Sequence, residues 1–193
     1  MPAKAGIPAL LLLFLSSPAF GQPWSLPQLM HGLTLVKSAS AQFTERKTIA
    51  MLSAPLFATG TLDYAAPDRM QKITVSPVPE RFTLAGALVT MTGPDRQTHV
   101  FSLHADPLIG GLTTGILATL AGNLPALEAT YTVQLSGGPA SWQLVLRPKD
   151  PRLARFIAWM CISGTANRIT EIDTENANGD HSEMQVAETI SHG

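Results

Sequence analysis

The run PLIGGLTTGILATLAGNLPAL, residues 107–127, carries no charged side chain, and it constrains the fold more than any other stretch of this chain. It is about as long as the roughly 20 residues that cross a bilayer as a helix. Asp106 stands where an N-cap would stand. Leu108, Leu112, Ile116 and Leu120 recur at intervals of four, with Ile109, Leu117 and Leu124 beside them, and Asn123-Leu124-Pro125 ends the helix. Thr113, Thr114 and Thr119 fall on different sides, so no face reads as wet. A helix apolar all round is buried or membrane-embedded. Gly110, Gly111, Gly115, Gly122, the threonines, Asn123 and Pro125 make a poor span, and a crossing here would divide strands of one sheet. Two readings stand. One is a core helix under a curved sheet. The other is a loose lid over an apolar cavity, because each glycine costs a helix about 0.5–1 kcal/mol relative to alanine and parts that open come from the low-stability end of a structure.

Strand patterns flank this run on both sides. A short amphipathic helix comes first: Leu26, Leu29, Met30 and Leu33 share helical spacing, with Ser25 as cap and Pro27 in the first turn. In residues 38–52, Phe43, Glu45, Lys47 and Ile49 share one strand face. Two strands follow, broken at Ala66-Pro67-Asp68, where the proline cannot donate to a ladder. A meander turns at Ala85-Gly86-Ala87 and again at Gly93-Pro94-Asp95. Beyond the apolar run, Tyr131, Val133 and Leu135 alternate with polar residues, Gly137-Gly138-Pro139 turns the chain, and Trp142, Leu144 and Leu146 return. Strands over residues 156–163, 167–175 and 181–190 complete the set, the last two joined by a hairpin at Asn178-Gly179. The expected fold is mainly β with helices: one antiparallel sheet of about 9–11 strands, which must curl, split or close.

Composition narrows the function. Hydrophobic residues make up 45% and charged residues only 14% of 193, against about a quarter charged in ordinary chains. That excess of apolar side chains suits a large core or apolar surface kept for a ligand. A net charge of −1 without a Lys/Arg cluster offers no footprint for nucleic acid. Residues 1–21 read as a secretory signal peptide: Lys4, then the apolar run Ala9 to Leu15, then small residues Ala19 and Gly21 at positions −3 and −1 before the cut. Removing Lys4, the one charge of that segment, takes the net charge from −1 to −2. Residues 22–193 are then expected to form a single exported domain.

Catalytic patterns are missing. The sequence has no G-x-S-x-G elbow and no phosphate loop. His31, His99, His104, His181 and His192 do not pair at metal-ligand spacing. The one cysteine, Cys161, lies in an apolar run and reads as a small buried hydrophobe. Glu45, Asp63, Asp68 and Glu80 read as scattered solvated positions, and the acidic run ITEIDTEN as a solvated strand face. No enzyme activity, cofactor or metal is expected.

SASAQFTERK, then GTLDYAAPDRM seventeen residues after Phe43, then SWQLVLRPKD and ITEIDTENANGDHSEMQV, resemble the LolA family of periplasmic outer-membrane lipoprotein carriers. Phe43, Thr44 and Glu45 match that family's Phe, polar residue and Gln/Glu. Gly60, Leu62 and Pro67 match its Gly-x-Leu-x-x-x-x-Pro, and Leu146-Arg147-Pro148 matches the end of its late hairpin. The order of elements agrees over nearly the whole mature chain. The resemblance implies an incomplete, strongly curved antiparallel barrel whose helices form a lid over a cavity for acyl chains. Its usual arginine before the proline, associated with holding the lid and with cargo release, is Ala66 here, and Arg69 does not inherit the role. Cargo is therefore a lipid as readily as a lipoprotein.

On that reading the lid lining is Leu108, Ile109, Leu112, Ile116, Leu117 and Leu120, and the sheet adds Phe43, Leu62, Phe82, Leu84 and Trp142. An acyl chain of about sixteen carbons gains about 0.8 kcal/mol per buried CH₂, so about 13 kcal/mol opposes its exposure to water. Crossing the periplasm therefore calls for a cavity that replaces the membrane. The implied partners are an acyl lipid or lipoprotein cargo, an inner-membrane donor and an outer-membrane acceptor, served by a monomer. Alternatives are a passive lipid-binding or assembly module, an acyl hydrolase or acyltransferase, and a chaperone for outer-membrane strands.

Overall fold

The structure, a computed structural model, describes residues 24–192; the expected signal peptide lies outside them. A short helix, α1 (Leu26–Thr34), opens the fold, and its Ser25 backbone N–H donates to the Gln28 side chain in a capping box. Six strands follow: β1 (Ser38–Thr48), β2 (Leu56–Ala65), β3 (Arg69–Ser76), β4 (Glu80–Ala85), β5 (Leu88–Thr92) and β6 (Thr98–Ser102). The helices α2 (Pro107–Leu120) and α3 (Leu124–Thr130) interrupt them. Strands β7 (Tyr131–Gly138) and β8 (Ser141–Pro148), the single turn α4 (Pro151–Ala154), then β9 (Ile157–Thr165), β10 (Arg168–Asn176) and β11 (His181–His192) complete the chain.

All eleven strands form one antiparallel sheet in the order β6-β5-β4-β3-β2-β1-β11-β10-β9-β8-β7. The first and last strands therefore pair in the middle, Phe43 opposite Val186 and Glu45 opposite Met184. The edges β6 and β7 do not pair with each other, so the curved sheet stays unclosed. Chain connectivity joins these two free edges through α2 and α3. The expected turn at Asn178-Gly179 is present, with Gly179 at φ 85°, a left-handed conformation that glycine adopts without a Cβ clash.

Two apolar clusters flank α2. The larger holds Leu29, Met30 and Leu33 of α1 against Tyr131, Trp142, Leu144, Leu146, Met160 and Ile162 of the C-terminal strands. The smaller holds Leu84, Val89 and Leu103 at the other end of the sheet, with Ile109 and Leu117 of α2 packed on it. The inserted helix thus bridges both ends of the open sheet.

Several sequence expectations need correction. The first strand ends at Thr48, not Leu52. Helices α3 and α4 were not expected; each begins at an Asn or Asp cap followed by proline, Asn123 with Pro125 and Asp150 with Pro151. Glu45 is not solvated but buried, at 5% exposure. Among the described residues, no helix is long and apolar enough to cross a membrane.

Candidate functional site: an apolar cavity between α2 and the sheet

Helix α2 starts as its sequence requires: the Asp106 carboxylate accepts from the backbone N–H of Leu108 at 2.9 Å and of Ile109 at 3.0 Å. Its faces are inverted with respect to an ordinary amphipathic helix. The small residues Gly111, Gly115 and Ala118 are buried, while Ile109, Leu112, Ile116 and Leu120 stay half-exposed. The reason is close approach. A β-carbon at Gly111 would run into the Leu153 side chain, and one at Gly115 would sit 3.3 Å from both Met160 and Tyr131. The Tyr131 hydroxyl, pushed well above the usual phenol range by burial, donates to the Gly111 carbonyl at 2.7 Å. The glycines therefore seat the helix on the core rather than loosen it, which corrects the reading of α2 as a weakened helix.

With its small face seated, the large apolar face looks across a cavity of about 590 Å³, within the roughly 300–1,000 Å³ of ligand sites. Ile109, Leu112, Ile116 and Leu120 line one side. Ala41, Leu62 and Phe82 of the sheet, with Ile172, Met184 and Val186, line the other. Six of the eleven residues expected at the site thus meet at one cavity: Ile109, Leu112, Ile116, Leu120, Leu62 and Phe82. The other five pack elsewhere. Leu108 rests against the larger core cluster and Leu117 against the smaller. Leu84 is buried in the smaller cluster. Trp142 is fully buried, its indole N–H donating to the Ala166 carbonyl at 2.9 Å. Phe43 is buried in the sheet beneath the Lys72 ammonium, which stands 4.7 Å from its ring.

Sequence reasoning missed the polar spot in this wall. The Glu45 carboxylate accepts from Lys72 Nζ at 2.7 Å and from the Ser182 hydroxyl at 2.8 Å, with Lys47 Nζ at 3.4 Å. Burial alone would raise its pKa, but the two ammoniums and the hydroxyl outweigh burial and hold it below 4.5. Burial pulls the Lys72 ammonium below its usual range against the attraction of Glu45. The available signal was strand alternation, which puts Glu45 on the same face as Phe43 and Lys47. A smaller cavity of about 310 Å³ adjoins this spot, and Glu45, Lys47, Lys72, Phe82 and Met91 line both.

Of the groups that could do chemistry, Asp180 and His181 are among the residues lining the cavity, and Cys161 is not. Cys161 lies between core residues Met160 and Ile162 and so points to the opposite face; burial raises its thiol pKa, away from the reactive thiolate. Near it, His181 Nδ1 meets Glu175 at 2.8 Å, and Asp173 is raised by burial despite His181. Among the described residues, no group of three or more His, Cys, Asp or Glu is arranged to hold a metal ion.

This architecture agrees with the sequence comparison. Residues 22–191 match the family described as outer membrane lipoprotein carrier protein LolA-like. The chain belongs to that LolA-like family. Solved structures similar to it include a LolA superfamily protein from Nitrosomonas europaea, at 12% identity, 86% coverage of this chain, 92% of the other and a TM-score of 0.47. A DUF1329 family protein from Desulfovibrio piger is 8% identical, over 84% and 88% of the two chains, with a TM-score of 0.46. A chain of the Pseudomonas aeruginosa MucA/MucB complex is 11% identical, over 87% and 58%, with a TM-score of 0.44. No curated protein matches the chain. At the family's usual arginine position the LolA-like chain has Ala66, and Arg69 is exposed, while Met70 and Tyr64 beside it line the cavity.

Proposed function

We propose that this LolA-like protein is a periplasmic carrier. Residues 22–193 act as one monomeric domain, exported by the leader over residues 1–21, and shield acyl chains of a lipid or lipoprotein between an inner-membrane donor and an outer-membrane acceptor. The observation that carries this reading is the row Leu112, Ile116 and Leu120, only partly buried and lining a cavity of about 590 Å³. At about 25 cal/mol per Å² of apolar surface, uncovered leucines and isoleucines are a standing cost that an acyl chain removes. Contacts of this kind have no direction, so a bound chain can slide in and out without breaking hydrogen bonds. Carriage fits the family better than hydrolysis or acyl transfer. Glu45 in the cavity wall already accepts two hydrogen bonds and meets a second ammonium, and Cys161 faces away from the cavity.

The test is transfer between vesicles. Donor and acceptor vesicles, separated by a membrane permeable to the protein alone, are incubated with a labelled acyl lipid. A carrier moves label in proportion to its concentration and leaves the lipid intact. A passive binder removes label from the donor and never delivers it. An enzyme returns cleaved or transacylated label. Either of these two results contradicts the proposal.

A further inference from the structure

The ion pair in the cavity wall calls for an explanation. Withdrawing two charges from water costs several kcal/mol per ion, and a hydrocarbon wall of the same shape is often as stable or more so. Yet the LolA-like chain places Glu45, 5% exposed, on the inner face of its central strand, in the wall of a mainly apolar cavity whose other charged lining residues include Asp63, Arg168 and Asp180. The charges do not balance at contact range. One carboxylate meets two ammoniums, Lys72 at 2.7 Å and Lys47 at 3.4 Å. The Glu45 oxygens are already occupied by Lys72, Lys47 and Ser182. The Lys72 ammonium has three N–H donors; one goes to Glu45, and the Phe43 ring face lies 4.7 Å away. Lys47 is about half exposed. Glu80, an exposed residue on the rim of the smaller cavity, is the other carboxylate that acts on Lys72. Arg81 and His99 also line that smaller cavity. Both ammoniums and Glu45 stand where the main cavity of about 590 Å³ meets the side cavity of about 310 Å³.

Resting on the acyl-carrier reading, we propose that Lys47 and Lys72 form an anion subsite that holds the head group of the cargo, a carboxylate or a phosphate ester, while its acyl chain lies under α2. An anion seated between the two ammoniums makes a two-by-two arrangement with Glu45, and each contact is a charge-assisted hydrogen bond in a water-poor wall. Glu45 then has a second role: it keeps the two lysines in place in the empty carrier and competes with the head group.

Calorimetric titration with three ligands of equal chain length tests this: dodecanoic acid, dodecyl phosphate and dodecanol, each below its micelle concentration. The expected result is that the acid, the phosphate, or both bind roughly tenfold tighter than the alcohol, the size of one charged hydrogen bond. Whichever anion shows the advantage names the head group. Lys47→Gln should bring the ratio of anion to alcohol affinity down toward one, which is the readout a general loss of binding would not move. Glu45→Gln should raise anion affinity while the alcohol is unchanged, whereas a purely structural pair predicts that all three ligands weaken together. Equal binding of acid, phosphate and alcohol overturns the subsite and leaves the acyl-carrier reading intact. Binding of none of the three overturns both.

Discussion

A β-carbon added at Gly110 lies 2.6 Å from the Leu103 carbonyl oxygen, and one at Gly111 overlaps Leu153. At these residues two physical effects of glycine oppose each other. Propensity alone says that alanine stabilises a helix by about 0.5–1 kcal/mol. Close packing says the reverse, with overpacking costs of about 1–3 kcal/mol. The geometry favours packing: at Gly110 the neighbour is backbone oxygen, which cannot move aside, and at Gly111 it is Leu153, whose side chain is itself buried in the core. Gly110→Ala and Gly111→Ala should therefore each destabilise the protein by about 1–3 kcal/mol in urea unfolding. A gain in stability at both would restore the picture of a helix deliberately weakened by glycine. The same competition explains Glu45, where attraction from Lys72 and Lys47 outweighs desolvation, and which sequence reading had left in solvent.

At the scale of elements, core and cavity share residues such as Ile172, but Trp142 belongs to the core alone and can be tested against the cavity-lining Leu112. Trp142 is fully buried, with Gly164 left without a β-carbon so that the indole can lie over it. Leu112 is half-exposed toward the cavity. Trp142→Ala should cost about 3–5 kcal/mol of stability, and at temperatures where the variant stays folded its lipid retention should be unchanged. Leu112→Glu should do the opposite, abolishing retention with a melting temperature close to that of the parent. If both changes affect both readouts equally, α2 is simply part of the core. The strands were legible in the sequence because a period of two with Gly and Pro punctuation is a local signal. All eleven strand segments and the Asp106 cap follow from it. Helix α3 was hidden because LPALEAT is too short to show a period, and α4 is one turn long. Which apolar residues face the cavity was only half legible. Leu108 and Leu117 share the composition of Leu112 and Ile116 and, like them, pack against the core clusters; only the position of each around α2 decides which also line the cavity. Trp142 and Phe43 were expected to line the cavity from the sheet, but both are buried, whereas Phe82 does line it.

The whole molecule is a curved sheet whose two free edges, β6 and β7, are tied together by the helices between them. That connectivity is what turns a sheet into a container. The concave face would otherwise be open along its length, and α2 covers it while presenting Ile109, Leu112, Ile116 and Leu120 to the interior. The central claim is that an acyl chain occupies this space. The most direct measurement is native mass spectrometry of the protein purified without detergent from the cells that make it, followed by solvent extraction, and repeated after mixing with lipid vesicles. The account predicts a discrete added mass that extracts as an acyl lipid in at least one of the two preparations, and that is lost in Leu112→Glu. A clean mass without ligand in both preparations would contradict it.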